Sequence, residues 1–384
     1  MAETIDLESM RKRFPVLRER SYFATPCLGP FPEEMLADLD EYKRTLFLRN
    51  RAIEPWVMRM RELAQLVEDL LHAPRGTVAL RDSVTACQAA IAATLQPSVH
   101  RDRILIAPEY DFPSSSYLWA AQAKRGFTIV EVKPEAGQSL AAALIQSISD
   151  LGERVAAVAM PWVSPRSGGL LSAAEVTRAA RQVGAISVLD AYQGVGVVPL
   201  DVESIDADVV VGGVHKWLCG GGMGLSFMYV RPTFTAEPVY PGWVGHAELA
   251  GYEPTYRSAA GAVRFQQGTP AMEPIYTARA GIRFLLEVGI PALRARSLLL
   301  TSRLIAAADR AGIGVLTPRQ DHERGGMVCL DVAEPARVVR ELAAQGMDID
   351  TRPGAGVRVG PFPCMSEREC DDVVGAMSQI TRTS

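Results

Sequence analysis

The 384-residue chain has no apolar stretch that approaches membrane-spanning length, so a transmembrane helix is not expected. Its start, Met1-Ala-Glu-Thr-Ile-Asp-Leu-Glu8, is acidic and lacks the apolar core of a signal peptide. The six cysteines (Cys27, Cys87, Cys219, Cys329, Cys364 and Cys370) are scattered and form no CxxC pair. That argues against a disulfide framework and against a metal site, and makes a reducing cytoplasm the expected setting. There is no basic stripe and the net charge is −4, so nucleic acid is not an expected partner. Repeats and low-complexity tracts are also missing. What remains is an ordinary globular composition, 48% hydrophobic and 22% charged, in a chain long enough for a large domain and a smaller one.

Short apolar runs alternate with helical patterns through the first two thirds. Strands are expected at 77–80, 103–107, 127–132, 155–160, 186–189, 208–211 and 225–230. Helices are expected at 32–47, 55–72, 85–95, 114–125, 138–149 and 172–183. Ser172-Ala-Ala-Glu175 reads as a capping box and Gly184 as the stop of that last helix. Alternation of this kind implies a mostly parallel sheet covered by helices on both faces. The strand at 225–230 follows a glycine loop rather than a helix and is expected to run antiparallel. After about residue 270 come long helices (275–288, 291–311), short strands (326–331, 357–360) and a closing helix (367–380), the texture of an α+β unit. The Gly-, Tyr- and Pro-rich stretch 240–268 reads as an extended connection.

Two strand ends carry the chemistry. The run Asp208-Val-Val-Val-Gly-Gly-Val-His-Lys216 places one lysine just past a buried strand and beside flexible glycines. Such a lysine is well placed to be desolvated and to form a Schiff base with a carbonyl cofactor. The run Ala185-Ile-Ser-Val-Leu-Asp190 ends another buried strand in a carboxylate. Ligands of open α/β sheets collect at the carboxyl ends of strands, so both groups are expected in one crevice. A lysine and a carboxylate there match the needs of pyridoxal 5'-phosphate (PLP): an amine to carry the aldehyde, and an anion to keep the pyridine nitrogen protonated.

Asp190-x-x-Gln193 followed by His215-Lys216-Trp217 resembles the class V aminotransferase group of fold-type I PLP enzymes, which includes kynureninases, isopenicillin N epimerase-like proteins and cysteine desulfurases. The resemblance covers nearly the whole chain. It implies an aspartate-aminotransferase-type large α/β domain with a mostly parallel seven-stranded sheet at 20–265. A smaller domain is built from 1–19 and 266–384. It places the phosphate loop at Arg81-Asp82-Ser83-Val84-Thr85, with Ser83, the Val84 N–H and Thr85 as contacts; read alone, Ser83 is a simple N-cap. The hydroxyl that the group often has three positions before the lysine is replaced by Gly213, leaving His215 as a contact. Phe112, in Asp111-Phe-Pro-Ser-Ser115, takes the place of the aromatic that stacks on the cofactor ring. Gln193 would face its phenolic oxygen.

Pro241-Gly-Trp243-Val-Gly-His246 and Arg264-Phe-Gln-Gln-Gly-Thr269-Pro270 resemble kynureninase segments. In that group Trp243 and Thr269 would reach the cofactor phosphate of a second subunit, which implies a homodimer with shared sites. Val357-Arg358-Val-Gly-Pro-Phe-Pro363 resembles the element whose arginine holds the substrate α-carboxylate. Arg166 also looks kynureninase-like, although an isolated loop arginine is more often solvated.

The implied activity is PLP chemistry on a small amino acid, kynureninase-like cleavage of a side-chain bond first, with transamination or epimerisation by the same residues as the alternative. A chain that binds PLP without turnover is a third possibility. Gln193, His215 and Ser115 stand where kynureninases carry His, Tyr and an acid, which points away from kynurenine itself. The stretch 350–358 holds no cysteine and is too short for the mobile arm of a persulfide-forming desulfurase, while Cys219 and Cys364 read as packed residues.

Overall fold

The computed structural model describes residues 6–249 and 251–382. Its main element is a seven-stranded sheet in the order Val78–Arg81, Ser226–Val230, Val209–Gly213, Ile186–Asp190, Val155–Pro161, Arg103–Ile106, Thr128–Glu131. Ser226–Val230 pairs antiparallel with both neighbours, and the other pairings are parallel. The reversed strand is the one that follows the glycine loop. The central strands are buried on both faces, which is why they appear in the sequence as unbroken apolar runs rather than alternating ones.

The expected helices form within a few residues of their expected bounds. Helix Val84–Thr94 is capped by Ser83, whose hydroxyl accepts from the Ala86 N–H at 3.1 Å. The expected capping box at Ser172 does not form. The first turn of Ala173–Gln182 closes through the backbone instead, Glu175 N–H donating to the Ser172 carbonyl at 3.2 Å, and the Ser172 side chain makes no cap bond. Among the described residues, 240–268 carry the short turns Trp243–Gly245 and Gly261–Phe265 and an isolated antiparallel bridge between His246 and Ser258.

A second, antiparallel sheet runs Asp350–Thr351, Val357–Val359, Val328–Asp331, Gly314–Val315. Helices Ile290–Ala311 and Glu367–Arg382 pack together beside it. The start of the chain docks here: Phe14 stands edge-on to Phe284 (4.9 Å) and Phe362 (4.8 Å), and Arg11 pairs with Glu369 at 2.8 Å. Strand Ser21–Tyr22 pairs with Met347–Asp348. Helix Met272–Val288 lies along Met35–Leu46 and Ile53–Leu70, pinned where buried Arg279 meets Asp38, Glu41 and Glu62. The carboxyl ends of the parallel strands therefore open toward the hairpin of the second sheet. No described helix is long and apolar enough to cross a membrane.

Candidate active site

A cavity of about 440 Å³ lies at those strand ends. Ser83, Val84, Thr85, Phe112, Asp190, Gln193, His215, Lys216 and Arg358 all line it, as do several residues the sequence did not single out. Trp243 and Thr269 do not. Both are exposed outside it, Trp243 in a separate groove with His246 and Tyr256.

Lys216 projects over two rings, its Nζ 4.2 Å from the Tyr192 centroid and 5.6 Å from that of Phe112. No carboxylate pairs with it among the described residues. Burial, then the field of Arg358, pushes its ammonium down to about 8, against an ordinary value of 10.5. Phe112 is 46% exposed, so it is a wall of the cavity and not a core residue.

Asp190 is buried. One oxygen accepts the Tyr192 N–H (2.9 Å), and the other accepts Ser115 Oγ (3.2 Å) and Gln88 Nε2 (3.3 Å). Burial raises its carboxyl above the usual range against the pull of the Tyr192 N–H and Lys216. Gln88 is itself held by the Trp119 indole at 2.8 Å. These bonds fix the carboxylate in place, and a protonated ring nitrogen would supply the counter-charge that the burial calls for. Asp111, also buried, lines the same cavity with one oxygen on the Phe112 N–H (2.6 Å). Burial and then Asp190 push its carboxyl well up.

Arg358 is buried and bonded on one side: Nε and Nη2 donate to Asp350, the former at 2.7 Å, and Nη1 donates to the Pro165 carbonyl at 3.0 Å. One N–H on each terminal nitrogen remains for a carboxylate. Gln193 is more heavily engaged than its sequence position suggested. Its amide nitrogen donates to Pro26 O and its oxygen accepts the Trp217 indole, both at 2.9 Å, leaving one N–H for a ligand. Arg166 lies outside the cavity lining, near the Gly354 turn.

The lining residues that the sequence missed include Cys27, Leu28, Arg352 and Tyr192. Cys27 and Leu28 come from the N-terminal segment, which crosses the site because Gly29 donates to the His215 carbonyl (2.9 Å) and packs on the Lys216 backbone; a Cβ at 29 would collide with the Lys216 carbonyl. Arg352 reaches Asp350 at 3.1 Å and Cys27 Sγ at 3.3 Å. Tyr192 fills the space above Gly213. The one sequence signal was Tyr192 itself, a bulky phenol two residues past Asp190. Cys219 and Cys364 are buried, as read from the sequence.

The helix start at Ser83 leaves the Val84 and Thr85 N–H groups without a partner among the described residues, an anion site by construction. An anion cradle, a depressed lysine and a fixed carboxylate around one cavity fit a phosphorylated aldehyde with a basic ring nitrogen.

Comparison with known proteins agrees. The model of the class-V aminotransferase family matches residues 52–376. A kynureninase of Bacillus anthracis is 30% identical over 321 residues, covering 80% of this chain and 74% of its own. A kynureninase of Salinispora tropica is 28% identical, covering 94% and 90%. Among solved structures, a cysteine desulfurase from Thermococcus onnurineus NA1 superposes with a TM-score of 0.86 at 21% identity over the whole of both chains. The cystine C–S lyase C-DES, in a mutant with glycine covalently linked to its PLP, gives 0.85 at 20% identity, covering 96% and 98%. The chain belongs to the class-V aminotransferase family and is a PLP-dependent enzyme.

The depressed lysine has a direct consequence. In the cofactor-free chain the amine is neutral, and able to attack an aldehyde, only above its own pKa. The rate of PLP capture should rise with pH and level off above about 8. Stopped-flow absorbance checks this; a rate still climbing toward 10.5 would show an ordinary lysine.

Proposed function

We propose that the enzyme acts on a small amino acid and cleaves a bond in its side chain, as a kynureninase-like lyase or hydrolase. The observation that carries this reading is the convergence of Lys216, Asp190 and Arg358 on one cavity. The kynureninase relatives, which match over most of the chain, support the reaction class.

PLP, when bound, supplies an electron sink for bonds at the substrate α-carbon and beyond. Lys216 would carry the cofactor, and its amine would take the substrate α-proton and return it further along the side chain. Asp190 would hold the proton on the ring nitrogen. Arg358, fixed by Asp350, presents its two remaining terminal N–H groups to the α-carboxylate. Phe112 walls one side of the cavity. The helix start at Ser83–Thr85 would hold the phosphate.

Trp243 and Thr269 serve a second copy's cofactor in this reading, and the enzyme is a homodimer. Their position outside their own chain's cavity, both exposed, supports that placement.

Arg358→Lys should weaken amino-acid binding by roughly 1.5–3 kcal/mol, the scale of a lost charge-assisted hydrogen bond, with PLP affinity unchanged. Spectral titration with an amino acid measures both. Normal substrate affinity would move the carboxylate elsewhere. The function itself is tested by screening an amino-acid panel for absorbance changes, with products identified by mass spectrometry. Cleaved side-chain fragments support the reading, whereas oxo acids with the side chain intact would move it to transamination and a racemised substrate to epimerisation.

A further inference from the structure

Gly213 and Tyr192 occupy one place in the fold between them. Asp190 pairs with Val211 across adjacent parallel strands, and Ala191 N–H donates to the Val211 carbonyl at 2.8 Å. Continuing that register by two residues sets Tyr192 beside Gly213. A Cβ built on Gly213 would collide with the phenol carbon and the hydroxyl oxygen of Tyr192. The tyrosine hydroxyl thus fills the position that any side chain at 213 would take, and only glycine admits it.

The sheet shows which end of the cofactor this position faces. Gly213 pairs with Ser226, and Ser226 pairs with Arg81, after which Asp82 and Ser83 open the helix with the free N–H groups. Ser226, Ser83, Thr85, Tyr192 and His215 line the same cavity. In PLP the phosphate arm is on the ring carbon next to the aldehyde, while the ring nitrogen is opposite the aldehyde. With Asp190 at the nitrogen and Lys216 at the aldehyde, the phosphate would lie on the lysine side of the cavity. Lys216 Nζ is 4.2 Å from the Tyr192 ring.

The Tyr192 hydroxyl is 3.1 Å from the His215 ring nitrogens. Burial, and then Lys216, lowers His215 to about 4, so the imidazole is neutral near pH 7. A neutral imidazole carries one N–H, and the tautomer that directs it at the phenol oxygen frees the phenol hydrogen for an anion.

We propose that the Tyr192 hydroxyl, oriented by His215, donates a hydrogen bond to the cofactor phosphate and substitutes for a side-chain hydroxyl at position 213. The proposal rests on the PLP assignment. Tyr192 is a binding and positioning residue in it, not a proton carrier for the substrate.

The test compares PLP with pyridoxal, which lacks the phosphate, by titrating the cofactor-free protein. Tyr192→Phe keeps the ring and loses only the hydroxyl. It should weaken PLP binding about 10-fold or more, the scale of one hydrogen bond to a charged group, and leave pyridoxal binding unchanged. Tyr192→Ala opens the space, and adding Gly213→Ser to it should restore part of the lost PLP affinity and none for pyridoxal. Unchanged PLP affinity in Tyr192→Phe, or equal weakening of PLP and pyridoxal, would overturn the proposal. A wild-type chain that takes up neither compound would instead overturn the cofactor assignment, and the role of the hydroxyl with it.

Discussion

Lys216→Ala should leave a folded protein whose turnover is lower by roughly 10⁴- to 10⁶-fold, the scale of removing a nucleophile that acts as one unit with its base. The effect is large because one side chain has two tasks. In the proposed function it carries the cofactor, and it is the amine in the cavity that moves the α-proton. No other lysine lines the cavity, so nothing can take its place. The fold should tolerate the change, since Lys216 makes no ion pair among the described residues and its contacts are with the faces of Tyr192 and Phe112. Steady-state kinetics and circular dichroism on the same preparation check both halves. Turnover within 10-fold of wild type would assign the chemistry to another group.

Asp190→Asn should lower kcat by on the order of 10²–10³, as expected when a preorganised charge facing the reacting system is removed. The Tyr192 N–H can still donate to the amide oxygen and the Ser115 hydroxyl can turn to accept from the amide nitrogen, but Gln88 Nε2 then faces another donor, so a positional loss adds to the electrostatic one. The same substitution has an opposite effect on the cofactor-free chain. Burial raises both Asp190 and Asp111 above the usual carboxylate range. Above that range the folded chain binds more protons than the unfolded one, so stability falls as pH rises through the raised values. Removing one of the two carboxylates should flatten that fall. Thermal unfolding of the cofactor-free proteins across pH measures it. An Asn variant with the same pH slope as wild type would show that Asp190 titrates normally.

The large sheet was legible because its central strands are buried on both faces and each ends at a turn or helix start. Lys216 and Asp190 were legible for the same reason, as polar residues at the ends of apolar runs. Cys27 and Arg352 were not. They reach the cavity through contacts between segments more than 300 residues apart, as in the Cys27–Arg352 pair, and no periodicity reports such a contact. Tyr192 is an intermediate case. Its position after Asp190 was visible, but its pairing with Gly213 depends on strand register, which emerges only when the two strands lie side by side. The capping box at Ser172 failed for a local reason, because the backbone closed the turn without the side chain. Gln193 and Arg358 line the cavity, but each already holds a protein partner, and that reduces the donors left for a ligand.

The central assignment is that the cofactor is carried on Lys216. The direct measurement is borohydride reduction of the PLP-loaded protein, followed by digestion and mass mapping of the modified peptide. The expected result is one reduced phosphopyridoxyl group per chain, on the peptide that contains Lys216. The modification recovered on a peptide without residue 216, or no reducible linkage in a protein that binds PLP, would contradict it.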